Sequence, residues 1–165
     1  MSHYKYDRLS AQDTSFLIFE QGNVNMHVAS TVIFKAGPLK TDKGGIDFEA
    51  IKKVIGDTLH RIPRYRQKIM WIQPNRSACW VDDDQFKLDY HVRHTSLPQP
   101  GSEEQLRALA SRILEQRLDR TKPLWETWVV EGLEGDRFAL IQCKVERTDL
   151  SPLGTRYIKA SARRT

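Results

Sequence analysis

Leu124-Trp125-Glu126-Thr127-Trp128-Val129-Val130-Glu131-Gly132-Leu133 is followed by Glu134-Gly135-Asp136, and then by Arg137-Phe138-Ala139-Leu140-Ile141-Gln142-Cys143-Lys144-Val145. Two runs rich in β-branched and aromatic residues flank a three-residue loop that contains glycine, and this predicts a β-hairpin. Upstream, Ser102 and Gln105 stand at capping-box spacing. They open a predicted helix over about 103–118, with Leu106, Leu109, Ala110, Ile113, Leu114 and Leu118 inward. The segment 119–123 breaks it at Pro123, and Pro98-Gln99-Pro100-Gly101 before it reads as a linker.

A second helix is predicted over 47–62. Phe48, Ile51, Val54, Ile55, Leu59 and Ile62 share one face, Asp47 is the N-cap and Pro63 the stop. Between the two helices lie a strand pair at 69–72 and 78–81, turned by Pro74-Asn75-Arg76, then an exposed acidic turn, Asp82-Asp83-Asp84, and a short strand over 86–92. Nearer the N-terminus, Ser10 and Asp13 resemble a helix start, with Phe16, Leu17 and Phe19 as its anchors. A β-branched strand follows over 26–34. Strands and helices alternate without the strict rhythm of a doubly wound sheet. The expected class is therefore α+β, with helices packed on a mixed or antiparallel sheet.

The chain has 165 residues, suited to one domain or one lobe of a larger fold. Hydrophobic residues make up 39% and charged residues 28%, and no run of about 18 apolar residues suggests a membrane span. The first eight residues lack the apolar core of a signal peptide, so a cytoplasmic protein is expected. The net charge is +5, but residues 146–165 hold five basic residues against two acidic ones. A nearly neutral body with a basic tail attracts polyanions weakly and is no specific nucleic-acid site. Cys79 and Cys143 sit in apolar strand-like runs, where small hydrophobic fillers are expected rather than a disulfide or metal ligands.

Several segments, in order, resemble the wax ester synthase/diacylglycerol acyltransferase family. They are Leu9-Ser10-Ala11-Gln12-Asp13-Thr14-Ser15-Phe16, Met26-His27-Val28 and Ile62-Pro63-Arg64-Tyr65-Arg66-Gln67, then Trp80, Phe86 and His91-Val92-Arg93. Leu118-Asp119-Arg120, Pro123-Leu124-Trp125-Glu126 and Glu131-Gly132-Leu133 complete the set, which spans about 6–145. The resemblance implies the N-terminal lobe of a coenzyme A-dependent acyltransferase fold of the chloramphenicol acetyltransferase and condensation-domain type. Two lobes there enclose a tunnel, and acyl-coenzyme A and the acceptor enter from opposite ends. It further implies transfer of a fatty acyl group from acyl-coenzyme A, a substrate, to a long-chain alcohol or diacylglycerol, with no cofactor and no metal. Peripheral association with the inner membrane or lipid inclusions would suit such substrates. The family motif His-His-x-x-x-Asp-Gly, whose second histidine is the general base, follows the strand that ends here at Lys144-Val145.

Under the resemblance, Pro123, Leu124, Trp125 and Glu126 form structural support near the active site. His27 is a candidate tunnel residue, with a purely structural role as its alternative. Arg64 and Arg66, in the basic run Arg61, Arg64, Arg66 and Lys68 with Tyr65 interleaved, are candidate phosphate contacts, with a solvated face as the alternative. His91 and His94 have a spacing that a helix could use for metal, but no third ligand lies near them in sequence. His60 should be exposed. Trp125 and Trp128 should pack under a helix. Glu126 and Glu131 are not marked as an acid pair.

The chain departs from the family after Val145, where it reads Glu146-Arg147-Thr148-Asp149-Leu150-Ser151-Pro152. Both histidine positions are replaced, and Ser151 and Pro152 stand at the Asp and Gly positions. Residues 1–145 are thus expected to be a partial acyltransferase lobe, and 146–165 a divergent basic tail, out of frame with its parent. An inactive fragment is the first expectation for function. The alternatives are a non-catalytic acyl-binding or partner-binding remnant and, more weakly, a basic nucleic-acid-binding domain. A lobe without its partner would expose an apolar seam and self-associate. Resequencing the coding region with its downstream DNA should reveal a His-His-x-x-x-Asp-Gly continuation in another frame. Its absence from every frame would remove the frameshift reading.

Overall fold

The computed structural model describes residues 6–11, 14, 15, 27–73 and 77–145. The expected helix anchors at 16–19, the turn at 74–76 and the 146–165 segment lie outside them. The hairpin forms as its sequence predicts, from β6 (Trp125–Leu133) and β7 (Arg137–Val145). Its loop turns through Gly135 and Asp136 at φ 70° and 58°, left-handed values that glycine and aspartate tolerate better than most residues. On its other side β7 pairs antiparallel with β2 (His27–Lys35), from His27↔Val145 to Lys35↔Arg137. The strand β5 (Val92–Ser96) lies parallel to β6, which gives a four-stranded mixed sheet of order β2-β7-β6-β5. A smaller antiparallel sheet of order β1-β4-β3 is made by β1 (Tyr6–Arg8), β4 (Ser77–Asp82) and β3 (Gln67–Ile72).

Two helices cover the larger sheet, α1 (Phe48–Thr58) on one face and α3 (Glu103–Glu115) on the other, with a single helical turn, α2 (Leu88–His91), between them in sequence. Alternation along the strands sorts the core. Trp125, Val129, Phe138 and Leu140 join Ile51, Ile55 and Leu59 beneath α1. Val130, Ala139, Ile141 and Cys143 join Leu106 and Ile113 beneath α3. The run from Phe138 to Cys143 is nearly continuous in apolar character because both faces are covered. Parallel strands need a crossover, and α3 supplies it between β5 and β6.

Helix α1 starts where Asp47 Oδ1 accepts from the Ala50 N–H at 2.9 Å, satisfying one of the donors a helix start leaves open. Its α-helical part stops at Thr58, and the chain continues in 3₁₀ turns over Leu59–Arg61 and Pro63–Arg66. In α3 both halves of the capping box form: the Gln105 N–H donates to Ser102 Oγ at 3.3 Å and the Ser102 N–H to Gln105 Oε1 at 2.8 Å. This helix ends at Glu115, short of Leu118. Leu114 is exposed rather than inward, because it lies at the rim of the stripe centred on Leu106 and Ile113.

Three expectations change. The expected strand at 86–92 is instead the turn α2 followed by β5. The turn tucks His91 between Phe86 and Trp125, with ring centroids 5.1 and 4.6 Å away. The acidic turn is not wholly exposed: the Asp83 side chain is fully buried and paired to Lys68 Nζ at 2.8 Å, while Asp82 and Asp84 face solvent. The expected linker is clamped, since Gly101 is buried and its carbonyl accepts from the Glu134 N–H at 3.0 Å. A Cβ on Gly101 would lie 1.8 Å from the Gly132 carbonyl oxygen, and φ there is +77°. Cys79 and Cys143 are buried free thiols, the filler role expected, and burial pushes the Cys143 thiol up to about 11.

Gly101→Ala should cost more than about 3 kcal/mol, from backbone overlap and positive φ together. Ser102→Ala should cost about 1 kcal/mol, the value of an N-cap. Urea unfolding of both variants at unchanged m-value measures the difference, and equal costs would contradict the clamp. His91 gives a pH prediction. Its Nδ1 lies 2.8 Å from the Trp125 carbonyl oxygen. A carbonyl only accepts, so Nδ1 carries the proton and the neutral ring is the one that fits. Burial holds its pKa below the ordinary value, against a weaker opposing pull from that hydrogen bond and from Asp83. The unfolded chain then binds the proton first as pH falls, so stability is full above about 6.5 and lost through the lower folded value. His91→Gln should flatten the decline in urea midpoint between pH 7 and pH 5, and an unchanged slope would count against a neutral buried imidazole.

Candidate functional site: a pocket beneath helix α1

The face of the larger sheet under α1 is built in cross-strand rows. Val28 pairs with Lys144, which pairs with Trp125. The next row is Ser30, Gln142 and Thr127, and the one after it Val32, Leu140 and Val129. The middle row is polar, set between an aliphatic row and one that holds Val28, Lys144 and Trp125. Side chains of adjacent strands in register lie about 5 Å apart, so the three polar groups form a continuous strip.

Over this strip the chain leaves α1. Thr58, Leu59 and Ile62 pass across the sheet, and Pro63 opens the turn that returns Tyr65 onto it. The gap between is a narrow pocket with room for only about 40 Å³ of water-sized guests, and about 540 Å³ when all the open space at its mouth is counted. Its walls are Val32, Ile55, Leu59, Ile62, Leu140 and Trp125, and its polar groups are Ser30, Thr58, Tyr65, Thr127 and Gln142. None of these side chains carries a charge.

Tyr65 closes one side. Its hydroxyl accepts from Gln142 Nε2 at 2.8 Å, and its ring meets Trp125 edge-on with centroids 4.5 Å apart. The Trp125 indole N–H donates to the Tyr65 carbonyl at 2.9 Å. Desolvation pushes the Tyr65 phenol up to about 12, so it remains a neutral hydroxyl at physiological pH. Behind Trp125, His91 stacks with an interplanar angle of 18°. The pocket wall is therefore a cluster of rings in which Trp125 and His91 are each held by a hydrogen bond to a backbone carbonyl.

The residues singled out in the sequence fall around this pocket in different ways. Pro123, Leu124 and Trp125 are all buried. Leu124 packs with Ala78 and Ile69 of the smaller sheet, while Trp125 enters the core under α1, so adjacent residues tie the two sheets together. Glu126 points to the opposite face, where Oε2 accepts from the Trp128 indole N–H at 3.2 Å and lies 3.4 Å from Arg93. The two tryptophans thus pack on opposite faces, Trp128 with the core under α3. Glu131 belongs to the α1 face, where it pairs with His94 at 2.9 Å and accepts from the Ile46 N–H.

His27 opens β2 opposite Val145 and is not among the residues that line the pocket. Arg64 lies outside the lining: it donates to Gln67 Oε1 at 2.6 Å, pairs with Asp7 at 3.3 Å and covers the Trp80 ring. Arg66 is exposed, with its guanidinium 5.9 Å from the Phe86 ring centroid, and it too lies outside the lining. His60 is exposed, as expected. Among the described residues, no three or more His, Cys, Asp and Glu side chains are placed to hold a metal, and no helix is long and apolar enough to cross a membrane. Sequence reasoning did not single out Ser30, Thr127 and Gln142. Their signal was parity, since Gln142 shares its face of β7 with Phe138 and Leu140.

Residues 9–145 match the family model described as wax ester synthase/diacylglycerol acyltransferase catalytic domain. A curated relative from Mycobacterium tuberculosis, "Probable diacyglycerol O-acyltransferase tgs3", is 41% identical over 134 residues, which is 81% of this chain and 48% of the relative. Another from the same organism, "Probable diacyglycerol O-acyltransferase tgs1", is 35% identical over 137 residues, 82% of this chain and 28% of the relative. The chain thus spans about half the length, or less, of these curated relatives. Among solved structures, the wax ester synthase/diacylglycerol acyltransferase from Marinobacter aquaeolei VT8 superposes with a TM-score of 0.66 at 23% identity, covering 84% of this chain and 34% of that one. A starter condensation domain of the rhizomide synthetase RzmA, solved in complex with C8-CoA, superposes with a TM-score of 0.66 at 11% identity, covering 86% of this chain and 31% of that one. The likeness confirms the expected α+β architecture shared with condensation domains. With the sequence match running from Leu9 through the last paired residue of β7, the chain belongs to the wax ester synthase/diacylglycerol acyltransferase family.

Proposed function

We propose that residues 1–145 form one lobe of an O-acyltransferase that moves a fatty acyl group from coenzyme A to a long-chain alcohol or diacylglycerol, and that this polypeptide alone does not turn over. The carrying observation is the family match across 9–145. Relatives named as diacylglycerol O-acyltransferases support the acceptor class. A fold neighbour crystallised with C8-CoA supports an acyl-coenzyme A donor.

The chemistry needs few groups. A base takes the proton of the acceptor hydroxyl, the oxygen attacks the thioester carbonyl, and the tetrahedral intermediate expels the coenzyme A thiolate. In the family the base is the second histidine of the motif after this strand. Here that stretch reads Glu146-Arg147-Thr148-Asp149-Leu150-Ser151-Pro152, with no histidine in it. A positioned general base contributes about 10²–10⁴-fold, and in this reading its loss is decisive. What the lobe retains is the pocket. Contact with a lipid surface, required to reach such acceptors, would be peripheral.

The test is acyl transfer from labelled palmitoyl-coenzyme A to hexadecanol or diacylglycerol. It compares this chain with a version carrying a family C-terminal part, including His-His-x-x-x-Asp-Gly, after Val145. Activity only in the completed version is the expected outcome. Activity in the chain as it stands would refute the assignment of the base and move the search to His27, His91 and His94.

A further inference from the structure

A second and roomier cavity lies against the smaller sheet. It takes about 340 Å³ of water-sized guests, and its lining is Lys68, Ile69, Met70 and Trp71 of β3 with Arg120 and Thr121 of the turn before β6. Successive side chains of a strand point to opposite faces. A cavity touched by four consecutive strand residues therefore runs along the edge of the strand rather than over one face. In the order β1-β4-β3 this edge is the outer one, and among the described residues no strand pairs with it. Ile69 packs with Leu118 and Leu124, which flank the turn, so Arg120 and Thr121 form the far wall of a trough on the Ile69 and Trp71 side.

The ladder decides which backbone groups look into the trough. The Asp83 N–H donates to the Arg66 carbonyl at 2.8 Å, one step beyond the pair Gln67↔Asp82. Bonded and non-bonded pairs alternate in an antiparallel ladder. Lys68 and Met70 therefore bond to β4, while Ile69 and Trp71 turn N–H and C=O away from it. The other side of β4 agrees. The Leu9 N–H donates at 3.0 Å to the carbonyl of Ala78, the partner of Trp71, so that rung faces away from β3. Four backbone groups at two-residue spacing are what an added strand needs. Met70 and Trp71, 47% and 45% exposed, offer apolar surface on either side of it.

Charge decides what kind of strand. The trough is lined by two cations and no carboxylate. Lys68 is already paired with the buried Asp83 at 2.8 Å. Asp119 is turned back on its own turn, where it accepts from the Thr121 N–H and hydroxyl at 2.9 and 2.7 Å. Arg120 on the exposed wall then sets the sign. A second copy of β3 suits the edge poorly. Antiparallel pairing of two copies needs a two-fold axis normal to the sheet, which would set both Arg120 turns on the same face of the joined sheet, cation towards cation.

We infer that the edge of β3 is a docking site for an extended acidic segment of a partner protein. The segment adds as a strand, its backbone paired with Ile69 and Trp71. An apolar side chain covers Trp71, and a carboxylate two residues along the same face meets Arg120. This inference does not rest on the acyl-transfer reading.

Amide hydrogen exchange of the whole chain, read by NMR, tests it with capped peptides. The first is Val-Val-Glu-Glu-Val-Val, which carries valine and glutamate on both faces of a strand, and the second replaces its glutamates by lysine. The glutamate peptide should slow exchange at Ile69 and Trp71 saturably and leave Lys68 and Met70, already in the ladder, unchanged. The lysine peptide should bind roughly three- to tenfold more weakly, the effect of an exposed ion pair turned to repulsion. Arg120→Glu should reverse that preference, with exchange at Lys68 and Met70 reporting that the sheet is intact. Methylation of alternate peptide amides leaves one bonding edge and should be tolerated, while methylation of every amide should abolish the effect on the unaltered chain. Unchanged exchange at Ile69 and Trp71, equal binding of the two peptides, or full binding of the wholly methylated peptide would each overturn the inference. Slow exchange at Ile69 and Trp71 without peptide, once a family C-terminal part follows Val145, would also overturn it, since the parent would then fill its own edge.

Discussion

The double pairing of β7 is the constraint on which the rest of the structure depends. The strand is laddered along its whole length to β2 on one side and, apart from a bulge at Phe138 and its last residue, to β6 on the other, and it is apolar on both faces from Phe138 to Ile141. A strand of that kind cannot face water on either side. It requires α1 and α3 as covers, and it places every other element by register. The crossover through α3 follows, because β5 joins the sheet parallel to β6 and needs a long connection to do so. The clamp at Gly101 follows in turn, because the chain enters α3 directly across the bulged end of the hairpin, and only glycine lets the backbones approach there.

Trp125 then joins this sheet to everything around it. Its neighbour Leu124 packs on the smaller sheet, its ring stacks on His91, its carbonyl accepts a hydrogen bond from His91 and its indole N–H donates to the Tyr65 carbonyl. These contacts come from three elements: β4, α2 and the turns after α1. The Pro-Leu-Trp sequence therefore packs as a joint between sheets. It also shapes the pocket, because the wall that Trp125 and Tyr65 form together is fixed from behind by His91.

The hairpin, both main helices and their caps were legible because each has a local cause: glycine in the loop, Asp47 and Ser102 at the caps, apolar residues at helical spacing. The family resemblance was legible for a different reason, an ordered set of short motifs. What was not legible depends on distant partners. Phe86 to His91 looks like a strand in sequence, but becomes a turn because burial between Trp125 and Phe86 rewards His91. Asp83 reads as exposed in a triplet of aspartates, yet Lys68 on the neighbouring strand draws it inward. The polar row was visible only as a break in parity on three strands, and its meaning depends on knowing that 30, 142 and 127 stand side by side.

Binding and chemistry separate cleanly along this chain. The groups that line the pocket come from β2, α1, the turns after it, β6 and β7, all before residue 146. The base that would use them lies, in the family, just beyond. Rate comes from interactions that strengthen in the transition state, and a pocket that binds only a ground state contributes to affinity rather than to turnover. The pocket itself is uncharged, so the charge that develops in a thioester attack has no counterpart among its lining groups. Electrostatic stabilisation belongs where charge appears, and a charged residue in this pocket would carry a desolvation cost with no step of the reaction to offset it.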